Sequence, residues 1–108
     1  MVAKEYSEQQ LNQALEQENL LLLVDFFAEW CPPCKLMSPL MDELSRKLEG
    51  KVLVVKVNVD THPQCAKDFK VTCLPTFLFL KGGKEAHKWE GRQDYEEMEK
   101  KIMDLLSS

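Results

Sequence analysis

Cys31-Pro32-Pro33-Cys34 stands between an apolar run and an amphipathic stretch, and that setting constrains the chain more than any other feature. The run before it, Leu20-Leu21-Leu22-Leu23-Val24-Asp25-Phe26-Phe27, has the length and continuity of a strand covered on both faces. After it, Met37, Leu40, Met41, Leu44 and Leu48 recur at helical spacing, and Gly50 supplies a stop. Cysteines two residues apart at the opening of a helix can bring their sulfurs together across one turn. They can then join and separate without refolding the chain. In a strand–turn–helix context this spacing reads as redox chemistry rather than metal binding. A structural disulfide or half of a zinc site is the competing reading, but no second Cys-x-x-Cys exists and Cys65 and Cys73 have the wrong spacing. The expectation is a dithiol/disulfide exchange protein with no metal and no cofactor, since the chemistry lies in the two sulfurs.

The remainder of the chain is consistent with one domain over residues 1–108, large enough to bury a core without disulfide staples. A hydrophobic fraction of 44% and a charged fraction of 30% are those of an ordinary globular protein. A net charge of −4 without a Lys/Arg block gives no reason to expect nucleic acid or an anionic membrane as partner. No run approaches the roughly 20 apolar residues of a membrane span. Met1-Val2-Ala3-Lys4-Glu5-Tyr6 lacks the basic and apolar regions of a secretory signal, so a cytoplasmic location is expected. There, cysteines are more often catalytic or free than scaffolding.

Ser7 with Gln10 forms a capping-box signal, and Leu11 and Leu15 mark an apolar face, which predicts a first helix over 7–17. Pro39 inside the helix after Cys34 predicts a kink. Val52 to Val59 is β-branched and predicts a second central strand. Pro63 to Phe69 predicts a short helix, Thr76 to Leu80 a third strand, and Lys81-Gly82-Gly83-Lys84 a turn into a charged, edge-type fourth strand over 85–90. Asp94 caps a last helix whose buried face is Tyr95, Met98, Ile102 and Leu105. The order α-β-α-β-α-β-β-α gives an α/β fold, a central mixed sheet with helices on both faces and a parallel pair near its middle. His62 and His87 show no paired ligand pattern and read as loop or surface residues.

Val24-Asp25-Phe26, Ala28-Glu29-Trp30-Cys31, Pro33-Cys34-Lys35, Pro39, Lys56, Asp60, Pro75-Thr76-Phe77 and Gly91 together resemble the thioredoxin family, in order and over essentially the whole chain. One position departs: Pro32 stands where the family usually has Gly. A double-Pro motif also resembles some plant h-type thioredoxins, tryparedoxins and nucleoredoxins, of which the last two are longer.

The resemblance implies the thioredoxin fold and assigns roles. Cys31, at a helix N-terminus that favours thiolate, is the nucleophile, and Cys34 the resolving thiol. Asp25 breaks an apolar strand; burial is expected to raise its pKa, so that it serves as acid/base toward Cys34, with Lys56 as its charge partner. A buried ion pair without a catalytic part is the alternative. Pro75 resembles the family's cis-proline, turning the Leu74 backbone toward an extended client segment. Trp30, Pro32, Pro33, Leu74, Pro75 and Gly91 form the client-binding rim. Pro32 removes a donor near Cys31 and stiffens the turn, which predicts a slightly more reducing pair. Cys73 is either a bystander or a regulatory thiol that forms a covalent dimer of the otherwise monomeric chain or a glutathione adduct. Cys65 reads as a buried small hydrophobe.

The implied activity is general protein-disulfide reduction, recharged by thioredoxin reductase, with clients such as ribonucleotide reductase, peroxiredoxin and methionine sulfoxide reductase. Two other readings stay open at this point. One is an oxidase or isomerase of a secretory compartment; the lack of a His between the cysteines and the Asp25/Lys56 pair argue against it. The other is a docking module that uses the apolar rim without redox turnover.

Overall fold

Leu21–Phe27 is apolar except at Asp25, and it becomes the middle strand of the sheet, buried along nearly its whole length. The computed structural model describes residues 3–17 and 20–108. Met1 and Val2, where the N-terminal reading begins, lie outside them. The elements in chain order are β1 (Lys4–Glu5), α1 (Glu8–Leu15), β2 (Leu21–Phe27), α2 (Pro32–Lys47), β3 (Val52–Asn58), α3 (Pro63–Asp68), β4 (Thr76–Lys81), β5 (Lys84–Glu90) and α4 (Tyr95–Ser107).

The strands form one mixed sheet in the order β1-β3-β2-β4-β5. β2 runs parallel to β3 and antiparallel to β4, and β5 closes a hairpin on β4 at the edge. This is the expected topology with one addition. β1 pairs in parallel with β3 through only two residues, Lys4 and Glu5, both exposed. With neither an apolar alternation nor β-branched residues, backbone pairing alone defines it.

Alternation along the strands divides the core into two layers. On one face, Leu21, Leu23, Val54, Phe77 and Phe79 pack against Met37, Met41 and Leu44 of α2 and against Met98 and Ile102 of α4. On the other face, Leu22, Val24, Phe26, Val55, Val57 and Leu78 pack against Leu11 and Ala14 of α1 and Cys65 of α3. Phe26, Phe77 and Phe79 are fully buried, and each such side chain stabilises the fold by roughly 2 kcal/mol.

Local signals start the helices where the sequence predicts, although α1 stops at Leu15, short of the expected Gln17. Ser7 and Gln10 make the reciprocal capping box of α1. Asp94 accepts from the Glu97 amide at 3.2 Å and opens α4. Pro39 lies inside α2 without ending it. At the hairpin, Gly83 has φ +77°, and a Cβ there would stand 2.7 Å from the Leu15 carbonyl oxygen, so the turn can approach the end of α1 only as glycine. His87 is not a loop residue: it lies in β5, half-buried, with its ring edge-on to Trp89 at 4.9 Å. The charged composition of β5 hid this inward-facing aromatic pair.

Candidate active site

α2 opens with prolines at its first positions, where a missing N–H costs nothing, so the helix begins at Pro32 and Cys31 becomes its N-cap. This brings both cysteines into the first turn. Their sulfurs are bonded as a disulfide, with Cα atoms 5.3 Å apart, and the Cys34 amide donates to Cys31 Sγ at 3.3 Å. One backbone donor, the Cys34 amide, and the positive end of a 16-residue helix therefore face the first sulfur.

The two cysteines meet solvent by different routes, though each is nearly buried. Cys31 lies in the floor of an apolar groove of about 470 Å³ walled by Trp30, Pro32, Pro33, Val59, Ala66, Val71, Thr72, Cys73 and Leu74. Cys34 opens into a separate recess of about 340 Å³ with Phe27, Ala28, Glu29, Lys35 and Ser38. A client segment seated in the groove would thus meet Cys31 and not Cys34.

Trp30 is 67% exposed beside Cys31, and its indole is held by a 2.7 Å hydrogen bond from Nε1 to Asp60 Oδ2. Asp60 is held in turn by its own backbone N–H, which donates to Asn58 Oδ1 at 2.9 Å. Leu74 and Cys73 sit on the groove wall, and Cys73 is an exposed free thiol. The Leu74–Pro75 bond is cis, as the resemblance implied. Pro75 and Gly91 do not line the groove. Gly91, at φ +85°, instead donates its N–H to the Pro75 carbonyl at 2.7 Å, so it acts by fixing the cis segment.

Asp25 is 1% exposed, and its Oδ1 has no hydrogen-bond partner among the described residues. Burial pushes its pKa up from 3.8 to about 7; the Lys56 charge pulls it down and the Asp42 carboxylate pushes it up. A carboxyl so placed can accept and return a proton near neutral pH. Lys56 faces Asp25 in the β2–β3 register but does not form its salt bridge there. The ammonium pairs with Asp42 at 3.0 Å and donates to Ser38 Oγ at 2.6 Å, both on α2. The expected Asp25/Lys56 pair is therefore a longer-range coupling. Ser38 and Asp42 escaped the sequence reading. Their four-residue spacing on one helix face was the available signal.

Cys65 is buried in the opposite core layer, where burial first, and the charges of Glu8 and Asp68 next, push its thiol up to about 11. Among the described residues no three His, Cys, Asp or Glu side chains cluster as metal ligands, and no helix is long and apolar enough to cross a membrane.

A disulfide pair at a helix N-terminus, with an apolar groove at its first cysteine and a buried carboxyl of raised pKa in the strand that leads to it, defines a dithiol–disulfide exchange site on a mixed α/β sheet. The thioredoxin family model matches residues 2–104. The chain belongs to the thioredoxin family, whose members are protein-disulfide oxidoreductases. It is 36% identical to thioredoxin of Rickettsia typhi over 96 residues, 89% of this chain and 87% of that protein. With thioredoxin of Rickettsia conorii it shares 42% over 69 residues, 64% of this chain and 66% of the relative. Other relatives are covered over 45% to 81% of their length, and several of them over less than two thirds. The structure superposes on thioredoxin NaTrxh from Nicotiana alata with TM-score 0.85 and 39% identity, covering 95% of this chain and 90% of that one.

Proposed function

We propose that this chain is a general protein-disulfide reductase that works through reversible Cys31/Cys34 exchange. The observation that carries this reading is the division of access: Cys31 lines an apolar groove and Cys34 lines a different recess. In the reduced protein the Cys31 thiolate attacks a client disulfide. A Cys31–client S–S bond forms, the client S–S bond breaks, and one client thiolate leaves. Cys34 then gives its proton to Asp25 and attacks Cys31 Sγ. The intramolecular disulfide forms, the mixed disulfide breaks, and the second client thiolate departs. Two electrons have passed to the client, and a thioredoxin reductase returns them at the expense of NADPH.

The groove lacks charge and offers an unpaired backbone at Leu74, which suits many extended client segments and not one shape. Ribonucleotide reductase, peroxiredoxins and methionine sulfoxide reductases fit that description. Trp30, Pro32, Pro33 and Leu74 contact the client directly; Pro75 and Gly91 set the Leu74 backbone. The working form is a monomer of a thiol-reducing compartment, the cytoplasm in this reading. On oxidation the exposed Cys73 is the thiol through which a covalent dimer or glutathione adduct forms, and Cys73→Ser removes that species on a non-reducing gel. Equal dimer in both proteins would refute it.

Coupled reduction of insulin with NADPH and a thioredoxin reductase tests the main reading. Wild type turns over, Cys31→Ser is inert, and Cys34→Ser accumulates a client adduct on Cys31. An inert wild type, or a double serine variant that keeps full biological activity, would replace the reductase with a docking module.

A further inference from the structure

Lys56 stands opposite Asp25 across β2 and β3, and its side chain is only 11% exposed. A lysine ammonium on a flexible stem, facing a desolvated carboxyl, would be expected to close on it. Here it does not. Its Nζ lies 2.6 Å from Ser38 Oγ and 3.0 Å from Asp42 Oδ1. The two α2 residues are one turn apart and present their oxygens together. Asp42 Oδ1 is fixed in turn by the Ala3 amide at 3.1 Å, where the chain enters β1. Asp25 Oδ1 is left without a partner among the described residues.

We propose that Ser38 and Asp42 are positioning residues: by holding the Lys56 ammonium on α2 they withhold a direct ion pair from Asp25 and keep its carboxyl free to take the Cys34 proton. The inference rests on the reductase reading above. In the step concerned, a proton leaves Cys34 Sγ for the Asp25 carboxylate, and no other atom or electron is exchanged. The charged groups facing Asp25 are few. Lys56 comes from β3 and Asp42 from α2. β4 offers Phe77 at the paired position, and α4 brings Met98 and Ile102 to this layer, with Tyr95, Leu105 and Leu106 partly buried against it; of these only Tyr95 titrates, and burial pushes its pKa up, so it stays neutral here. Among the described residues the ammonium is thus the cation whose position acts on the protonation of Asp25. A tether on it acts as a setting for the acid/base step. Ser38 also lines the recess at Cys34, so the tether stands beside the thiol whose proton is at issue.

The test is a carboxyl-carbon NMR titration of Asp25 in the oxidised full-length protein, with and without the tether. Ser38→Ala changes no charge but releases one contact on Lys56. It lowers the Asp25 midpoint by about 0.5 in pH or more, a fraction of the one to three that a close opposite charge produces. In the Lys56→Met background Ser38→Ala moves nothing. Asp42→Asn lowers the midpoint further, and part of that drop also vanishes in the Lys56→Met background. The pH profile of mixed-disulfide resolution shifts down with the midpoint. A midpoint that stays or rises in Ser38→Ala, or falls equally without Lys56, overturns the proposal. Because the titration needs no client, the two readings fail separately. A chain that reduces no insulin yet shows the Lys56-dependent drop refutes the reductase. Full insulin reduction without the drop refutes the tether.

Discussion

The starts of α2 and α3 are built alike and behave differently. α2 begins Pro32-Pro33-Cys34 and α3 begins Pro63-Gln64-Cys65, so each carries a cysteine at its third position, and each of these cysteines is 3% exposed. At α2 the N-cap is Cys31, whose sulfur accepts the Cys34 amide. At α3 the N-cap is His62, which makes no side-chain capping bond, and the helix runs for only 6 residues. α2 lies over the sheet face that holds Asp25 and Lys56, with a groove and a recess at its end; α3 covers the other face, whose core cluster is apolar. A helix start and a buried thiol are therefore not enough for redox chemistry. A partner sulfur at the N-cap, an apolar groove beside it and a buried carboxyl of raised pKa on the same sheet face set α2 apart.

The widest gap between the two regions is in turnover. Cys31→Ser or Cys34→Ser is expected to lower insulin reduction by about 1,000-fold or more, since one exchange step has no nucleophile. Cys65→Ala keeps turnover within about twofold and costs the fold about 1 kcal/mol, measured by urea unfolding. If Cys65→Ala removed activity, α3 would belong to the site and the contrast would collapse.

Alkylation sharpens the same contrast on the native reduced protein. With its thiol pushed up to about 11, Cys65 is about 0.01% thiolate at pH 7 and is shielded as well. Iodoacetamide labelling read by peptide mass spectrometry is expected to mark Cys31 first and Cys73 more slowly, and to leave Cys65 unlabelled. Comparable labelling of Cys31 and Cys65 would show that the two helix starts are equivalent.

The charged sheet face has a cost that the apolar face lacks. Asp25 has a folded pKa of about 7 against 3.8 when exposed. The folded state therefore holds a proton that the unfolded chain has lost, and stability falls as pH rises from about 4 through 7. Asp25→Asn removes this loss. It is expected to be more stable than wild type at pH 9, by on the order of 4 kcal/mol at most, with the gain vanishing below pH 4. It also slows mixed-disulfide resolution about tenfold or more and flattens the rise of that rate through pH 7. A resolution rate unchanged across pH would reduce Asp25 to a structural role.

The smallest effect is expected at Pro32. Pro32→Gly restores a backbone donor beside Cys31 and loosens the turn, which raises the reduction potential slightly. A lower potential in the glycine variant would reverse the sign of that argument.

Most of the frame was legible because burial writes itself into periodicity. The continuous apolar run of β2, the helical spacing from Met37 to Leu48 and the caps at Ser7 and Asp94 each predicted the element that formed. β1 was illegible, since two exposed residues joined only through backbone bonds leave no pattern in side chains. At the site, the cysteine pair and Asp25 announced themselves as chemistry in the wrong surroundings. The partner of Lys56 did not. The sequence marks a charge opposite a charge, but which carboxylate captures an ammonium depends on side-chain reach from α2. Gly91 was assigned to the rim because it belongs to the motif, whereas its N–H serves the Pro75 carbonyl. The N-cap role of Cys31 lay open in the sequence: prolines at 32 and 33 mark the helix start.

The most direct test of the account is the equilibrium reduction potential of Cys31/Cys34 in a defined thiol–disulfide buffer, followed by Trp30 fluorescence. A protein that delivers electrons to clients is expected near or below about −270 mV, the value known for thioredoxins and carried over from the family. A potential near about −120 mV, that of a strong oxidant, would mean that this pair withdraws electrons from clients and would contradict the account.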